Sequence, residues 1–242
     1  MAEEDYKGGV LIEKVSTGID GLDDMLYGGI PKAAQVLVVG EPGTGKTLMS
    51  FETLYRNAQA GIATCFISTE EGVDEILKNL KSAFEYFDDI DELISKGLLN
   101  IKNVERKYAI KSREESEADI ASIEKTIEEN KATYITIDSL TVYRTLFEND
   151  KIFTRYLIDL TSSMKKRGLT VLYTLESSQT DNFTEIFGLY GTYMFDGIIK
   201  LYTKDIGGSY QYLVRVVKMR GSNHKTTALP YQITSKGIRV FK

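Results

Sequence analysis

The chain has 242 residues, of which 42% are hydrophobic and 27% charged, and it carries a net charge of −5. That length suits one α/β domain spanning 1–242, and the composition is that of an ordinary globular protein. The acidic balance argues against a dedicated nucleic-acid binder, although a local basic patch remains compatible with it.

The apolar runs reach only about five residues, far short of the roughly 20 that a membrane-spanning helix needs, so no membrane association is expected. Residues 1–14 include Glu3, Glu4 and Asp5 and have no apolar centre, so they do not read as a signal peptide. They are expected to be a flexible or edge-packing segment. Cys65, the one cysteine, excludes an internal disulfide and fits a reducing, cytoplasmic setting. It lies in an apolar run and reads as a small buried hydrophobe.

In chain order, Leu22, Met25 and Leu26 fall at helical spacing and stop at Gly28-Gly29. A strand over 35–39 leads into residues 40–47, Gly-Glu-Pro-Gly-Thr-Gly-Lys-Thr, and then into helix formers over 46–60. This is the G-x-x-x-x-G-K-[ST] phosphate loop in the strand–loop–helix setting that its mechanism needs. Gly40, Gly43 and Gly45 allow positive φ and close approach to an anion. The helix that follows adds the positive end of its dipole. Lys46 is the candidate partner of the β- and γ-phosphates, and the Thr47 hydroxyl is a candidate Mg²⁺ ligand. Glu41, Pro42, Thr44 and Leu48 complete the candidate nucleotide-binding set. The ligand class is thus a nucleoside triphosphate with Mg²⁺.

A strand over 63–68 ends at Glu70-Glu71, and a helix over 73–87 follows with Ile76, Leu77 and Leu80 as its apolar stripe. Residues 88–92 read as a solvated acidic turn, 99–101 as a short strand, and 114–130 as a charged helix burying Ile120, Ile123 and Ile127. The strand 134–138 ends at Asp138, which fits the second acid of a phosphate-loop site, on Mg²⁺ directly or through water. Because Ser139 follows it, a water-activating base must come from elsewhere. Glu70 and Glu71 at the neighbouring strand end are the candidates, the plainer alternative being acids favoured at a helix N-terminus. A helix over 151–167 precedes a strand over 170–175; 177–196 is irregular. Strands over 197–203, 210–219 and 237–241 close the chain, with Gly207-Gly208 in a hairpin turn. The alternation predicts a mostly parallel sheet between helices, extended by antiparallel strands at one edge. Ligands of such sheets bind at the carboxyl ends of the strands, where Lys46, Glu70, Glu71, Asp138 and Glu176 all fall. With one histidine, His224, and one cysteine, a zinc site is not expected.

At this point the residues resemble the RecA/KaiC-like ATPases, over 16–241. Ser-Thr-Gly-Ile-Asp-Gly-Leu-Asp at 16–23 and Gly-Gly-Ile-Pro at 28–31 are similar to the stretch before the family's phosphate loop. Ile-Ser-Thr-Glu-Glu at 67–71 is similar to the strand carrying paired catalytic glutamates, and Ile-Thr-Ile-Asp-Ser at 135–139 to the Walker B strand. Lys-Met-Arg-Gly-Ser-Asn-His at 218–224, with Pro230, Ile233-Thr234 and Gly237-Ile238, is similar to the final strands. The resemblance implies a RecA-like core and an ATPase with active sites between subunits of a ring, usually a hexamer. It implies that Lys218 and Arg220 reach a neighbour's γ-phosphate as trans-acting cations, and that Ser222, Asn223 and His224 lie near the sugar or base. The family's phosphorylated Ser-Thr pair falls on Thr192-Tyr193, which leaves autokinase activity open, and positions near Thr226 and Ser235 differ in type where adenine is contacted.

Two functional classes follow. The favoured one is a regulatory ATPase whose nucleotide state is read by a partner protein. The alternative is a recombination-type ATPase that binds single-stranded DNA. Residues 177–196 carry Asp181, Glu185 and Asp196 without Lys or Arg, a local charge of −3 that suits a phosphate backbone poorly. Tyr143, Phe147 and Phe153 could stack bases but read first as packing.

Overall fold

The computed structural model describes residues 12–104, 109–177 and 193–241. Among these residues a nine-stranded sheet, its strands numbered in chain order with ranges given in the next sentences, runs β11-β10-β9-β8-β3-β7-β6-β4-β5. Its parallel part comprises β3 (Gln35–Gly40), β4 (Thr64–Ser68), β5 (Leu99–Asn103), β6 (Tyr134–Asp138), β7 (Thr170–Glu176) and β8 (Gly197–Ile206). Antiparallel strands β9 (Ser209–Met219), β10 (Leu229–Thr234) and β11 (Gly237–Val240) extend one edge. The expected α/β class with a mixed edge is therefore what the chain adopts.

Both faces of the central strands are covered, so those strands are apolar throughout rather than alternating. Val36 and Val38 of β3 face one core, which also contains Phe51, Leu54 and Tyr55 of helix α2 (Lys46–Gln59). Leu37 and Val39 face the other core, beneath α5 (Arg113–Glu129) and α7 (Asp150–Lys166). Local chemistry starts these last two helices. Ser112 Oγ accepts the Glu115 N–H at 3.1 Å while Glu115 Oε2 accepts the Ser112 N–H at 3.3 Å, a capping box. Asn149 Oδ1 accepts from the N–H groups of Lys151 and Ile152, each at 3.1 Å, and such a cap contributes about 1 kcal/mol.

Several elements depart from the sequence reading. The expected helix over 73–87 stops as α3 (Val73–Ala83), and a 3₁₀ turn (Glu85–Phe87) follows. The acidic turn over 88–92 is instead the entry to helix α4 (Ile90–Ser95), which buries Ile90 and Leu93. Asp89 there accepts hydrogen bonds from Tyr55 Oη and Gln59, Asp91 pairs with Lys81 and Glu92 with Lys96, so three of those acids are engaged rather than merely solvated. Acids near the first turn of α4 also complement its dipole. Helix α6 (Leu140–Thr145) is too short to show a period, and β10 carries Pro230, which demotes a run as a strand but here sits near the start of β10, just before its pairing with β11 begins at Tyr231. Within the N-terminal segment, β1 (Lys14–Val15) pairs with β2 (Ile30–Pro31), while α1 (Leu22–Met25) lies between them in the chain. Residues 1–11 lie outside the described ones. The expectation of an irregular stretch over 177–196 likewise falls mostly on residues 178–192, outside the described ones, as does Thr192.

Candidate functional site

The phosphate loop hangs between β3 and α2, and the C-terminal strands clamp it. Gly40 is required for close approach rather than for positive φ: a Cβ there would sit 2.2 Å from the Leu201 carbonyl oxygen of β8. Gly45 enters α2 at φ +80 beneath Ile233 of β10. Tyr231 Oη donates to the Thr44 carbonyl, and Thr203 Oγ1 donates to Glu41 Oε2 at 3.2 Å. Two turns along α2, Glu52 accepts the Ile238 N–H at 2.9 Å and the Tyr86 hydroxyl at 3.0 Å. Burial raises the Glu52 carboxyl despite those donors.

The carboxyl ends of β4, β6 and β7 bring the acids to the same loop. One cleft of about 360 Å³ is lined by Lys46, Thr47, Glu70, Glu71, Asp138 and Glu176, among others. Thr47 Oγ1 lies 3.2 and 3.1 Å from the two carboxylate oxygens of Asp138. Thr174 of β7 also donates to Asp138. Asp138 lies deep among protein atoms although part of its surface opens to the cleft, and that burial pushes its carboxyl up to about 6. The hydroxyl donors and Lys46 oppose the shift. Lys46 Nζ donates to the Glu41 carbonyl at 2.9 Å and lies 3.9 Å from Glu176. Burial lowers its ammonium pKa, and the surrounding carboxylates, Glu176 foremost, pull it back up.

Glu70 and Glu71 are both exposed at the cleft mouth. Ser68 Oγ accepts their backbone N–H groups at 3.3 and 3.0 Å, which fixes the turn after β4. Ser139 Oγ donates to Glu70, whereas Glu71 meets Asn79 Nδ2 at 3.4 Å. Among the described residues no group of three or more His, Cys, Asp or Glu side chains forms a metal cage. An all-oxygen set of one hydroxyl and one carboxylate beside a phosphate loop does fit Mg²⁺, which keeps several waters and takes few protein ligands. The partial burial of Asp138 points the same way, since a cation would favour its ionised form.

Lys218 and Arg220 are not part of this cleft. On β9, Lys218 pairs with Ile198 and Met219 with Gly197, at the start of β8. The phosphate loop leaves from Gly40, which pairs with Leu201 further along β8. Arg220 N–H donates to the Asp196 carbonyl at 2.8 Å, and Asp196 in turn is level with Gln35. From Gln35 to Gly40 the sheet rises about 16 Å at ~3.3 Å per residue. Lys218 Nζ donates to the Phe195 carbonyl at 2.7 Å, and Arg220 Nη1 donates to the Tyr193 carbonyl at 2.8 Å. Ser222, Asn223 and His224 follow in the next turn, and the Lys225 N–H donates to the Met25 carbonyl at 2.8 Å. These residues thus collect away from their own chain's phosphate loop.

Sequence reasoning did not single out Thr174, Ser68 or Tyr231, and noted Ser139 only as the residue that supplies no base. A signal existed for the first: Thr174 is a polar residue inside an otherwise apolar strand. Its partner, however, depends on the β6–β7 register. Tyr143 and Phe153 are buried at 0% and 1% exposure and Phe147 at 8%, in the α5–α7 core, so they serve packing and form no base-stacking platform. No described helix is long and apolar enough to cross a membrane.

Comparison with known proteins agrees with this arrangement. The KaiC ATPase family model matches residues 15–242. A UPF0273 protein of Thermotoga maritima is 30% identical over 96% of this chain and 97% of its own length. The circadian clock oscillator protein KaiC of Parathermosynechococcus lividus is 31% identical over 95% of this chain, which spans only 42% of that protein. A crystal structure of a KaiC-like protein from Pyrococcus horikoshii OT3 superposes with a TM-score of 0.82 at 22% identity, covering 96% of this chain and 100% of that one, and so shares the fold. The chain belongs to the KaiC ATPase family.

Proposed function

We propose that this protein hydrolyses ATP with Mg²⁺ in sites that a second copy of the chain completes. The observation that carries this reading is the separation of Lys46, Thr47, Glu70, Glu71 and Asp138, gathered on one cleft, from Lys218 and Arg220 at the other end of the same sheet. Phosphoryl transfer needs cations on the transferring group, and Lys218 and Arg220 are out of reach of their own chain's loop. A copy placed head to tail presents them to its neighbour's cleft, with Ser222, Asn223 and His224 beside them. Such heterologous contacts close into rings when the rotation permits, and a hexamer is the expected size.

In this reading the loop N–H groups of residues 40–47, with Leu48 behind them, and Lys46 hold the β- and γ-phosphates. Thr47 and Asp138 would hold magnesium, whose charge would offset that building on the phosphate oxygens. Glu71 or Glu70 accepts a proton from the attacking water as its oxygen bonds to the γ-phosphorus. The bond from that phosphorus to the bridging oxygen breaks, leaving ADP and inorganic phosphate. Lys218 and Arg220 of the neighbour stabilise charge on the transferring group. The similarity to a clock oscillator protein supports a regulatory role, in which a partner protein reads the nucleotide state in the cytoplasm.

Mixing tests the shared site. Lys46→Ala and Arg220→Ala chains are each expected to be inactive alone. Together they form some interfaces with an intact loop facing an intact cation pair, and phosphate release returns. Continued inactivity of the mixture, with both variants folded and assembled, would overturn the shared-site reading.

A further inference from the structure

Three cations, Lys165, Lys218 and Arg220, lie near one another at the rim opposite the cleft, where one carboxylate is buried. Asp196 is 6% exposed. Its Oδ2 accepts the Gln35 N–H at 3.1 Å, and its Oδ1 accepts from Lys165 Nζ of α7 at 2.6 Å. Its own N–H donates to the Gln35 carbonyl at 2.7 Å, and its carbonyl accepts the Arg220 N–H at 2.8 Å. Asp196 therefore ties β3 and α7 on one side to the end of β9 on the other. The residues just before it carry the carbonyls that hold the two cationic side chains, Phe195 for Lys218 and Tyr193 for Arg220.

Lys218 is the penultimate residue of β9 and Arg220 the first residue beyond that strand, so the chain itself holds the two cations near each other. Like charges that close repel unless a counter-charge is near. Burial and Arg220 push the Lys218 ammonium pKa down, Lys165 adds to that, and Asp196 opposes them.

We propose that Asp196 is the positioning residue for the Lys218–Arg220 pair, fixing the backbone that presents both cations and supplying the counter-charge that lets them sit together. This rests on the shared-site reading above. Asp196 touches no phosphate in this role; it acts through the two cations. Groups that stabilise developing charge work best when they are held in place beforehand, so loosening this mount lowers turnover without touching the cleft that binds nucleotide.

The test uses the full chain. Asp196→Asn is expected to bind a non-hydrolysable ATP analogue within about threefold of wild type and to lose roughly tenfold or more in turnover, while Asp196→Glu keeps more of the rate. Mixed with Lys46→Ala chains, Asp196→Asn regains activity, because roughly one interface in four then pairs an intact loop with an intact cation mount. Mixed with Arg220→Ala chains it does not, since both lack a working pair. A defect confined to the Asn variant's own fold is not repaired by a neighbour. Wild-type turnover in Asp196→Asn overturns the proposal. So does a failed rescue by Lys46→Ala while Arg220→Ala is rescued by it. If neither is rescued, the shared-site reading itself falls. Should Asp196→Asn not fold, Lys165→Gln, at an exposed position, replaces it, with an expected loss of about threefold and the same rescue; unchanged turnover there counts against the mount.

Discussion

The two rims of the sheet handle charge in opposite ways. At the loop rim, Asp138, Glu70, Glu71 and Glu176 surround one buried ammonium, Lys46, and the carboxylates outnumber it. At the other rim, the buried carboxylate of Asp196 pairs with Lys165, and Lys218 and Arg220 lie nearby. Each rim alone is unbalanced, and the imbalances are of opposite sign. In the proposed reading, a loop that holds triphosphate and Mg²⁺ gains from carboxylates that bind the metal, whereas stabilising the transition state needs positive charge held in place. Placing the two sets at opposite ends of strands about 16 Å long keeps them from neutralising each other within one chain. Under the shared-site proposal, it also makes assembly the switch for chemistry.

The largest expected effects compare the rims directly. Lys46→Ala and Arg220→Ala should each lower phosphate release by about 10³-fold, but only the first should lose nucleotide affinity in a fluorescent-analogue titration. Equal loss of affinity in both would mean that the far rim contributes to binding and would blur the comparison. Within the loop rim, Glu71→Gln should bind ATP and hydrolyse it about 10²-fold more slowly, because an amide cannot take the proton from water. An equal loss in Glu70→Gln alone moves that role to Glu70, whose carboxylate Ser139 already orients.

A third test sharpens the charge imbalance by pH. The Asp138 carboxyl is raised from its ordinary 3.8 to about 6 by burial. Its contribution to stability is therefore complete below about 3.8 and is lost as pH rises through about 6. Asp138→Asn should stabilise the nucleotide-free protein at pH 8 by up to about 3 kcal/mol and leave it unchanged near pH 3, provided that the chain stays folded there. Thermal melts at the two pH values read this out, and the same variant should lose the extra stability that MgATP confers on wild type. No gain at pH 8 would mean that Asp138 carries no burial cost. The smallest effect concerns the clamp: Tyr231→Phe removes the donor to Thr44 and should weaken nucleotide binding by about fivefold, roughly 1 kcal/mol. Unchanged binding would show that Ile233 against Gly45 suffices to hold the loop.

Local signals were read well where a residue's task depends on its immediate neighbours. The strand–loop–helix at 35–59 needed only an apolar run, glycines and helix formers, and its ends fell within a residue of expectation. The capping box at Ser112 and Glu115 marks the start of α5 just as locally, although the sequence reading began that helix at 114 without it. Elements that bury themselves through distant contacts were harder. Helix α4 looks acidic in sequence and becomes a helix because Phe87, Ile90 and Leu93 dock in the α2 core. Helix α6 is shorter than two turns and offers no periodicity.

The sequence alone determined the parallel α/β core, the phosphate loop and the identity of the acids at the strand ends, because these follow from short-range sterics and from the two-residue and 3.6-residue periods. Only the tertiary structure decided which of those groups meet. Parallel register brings Thr174 to Asp138, and the antiparallel edge brings Tyr231 and Ile233 down on the loop. The same edge carries Lys218 and Arg220 to the far rim, beside Asp196. Register across the parallel part of the sheet joins residues 35 or more apart in the chain, and nothing local in a strand encodes its partner.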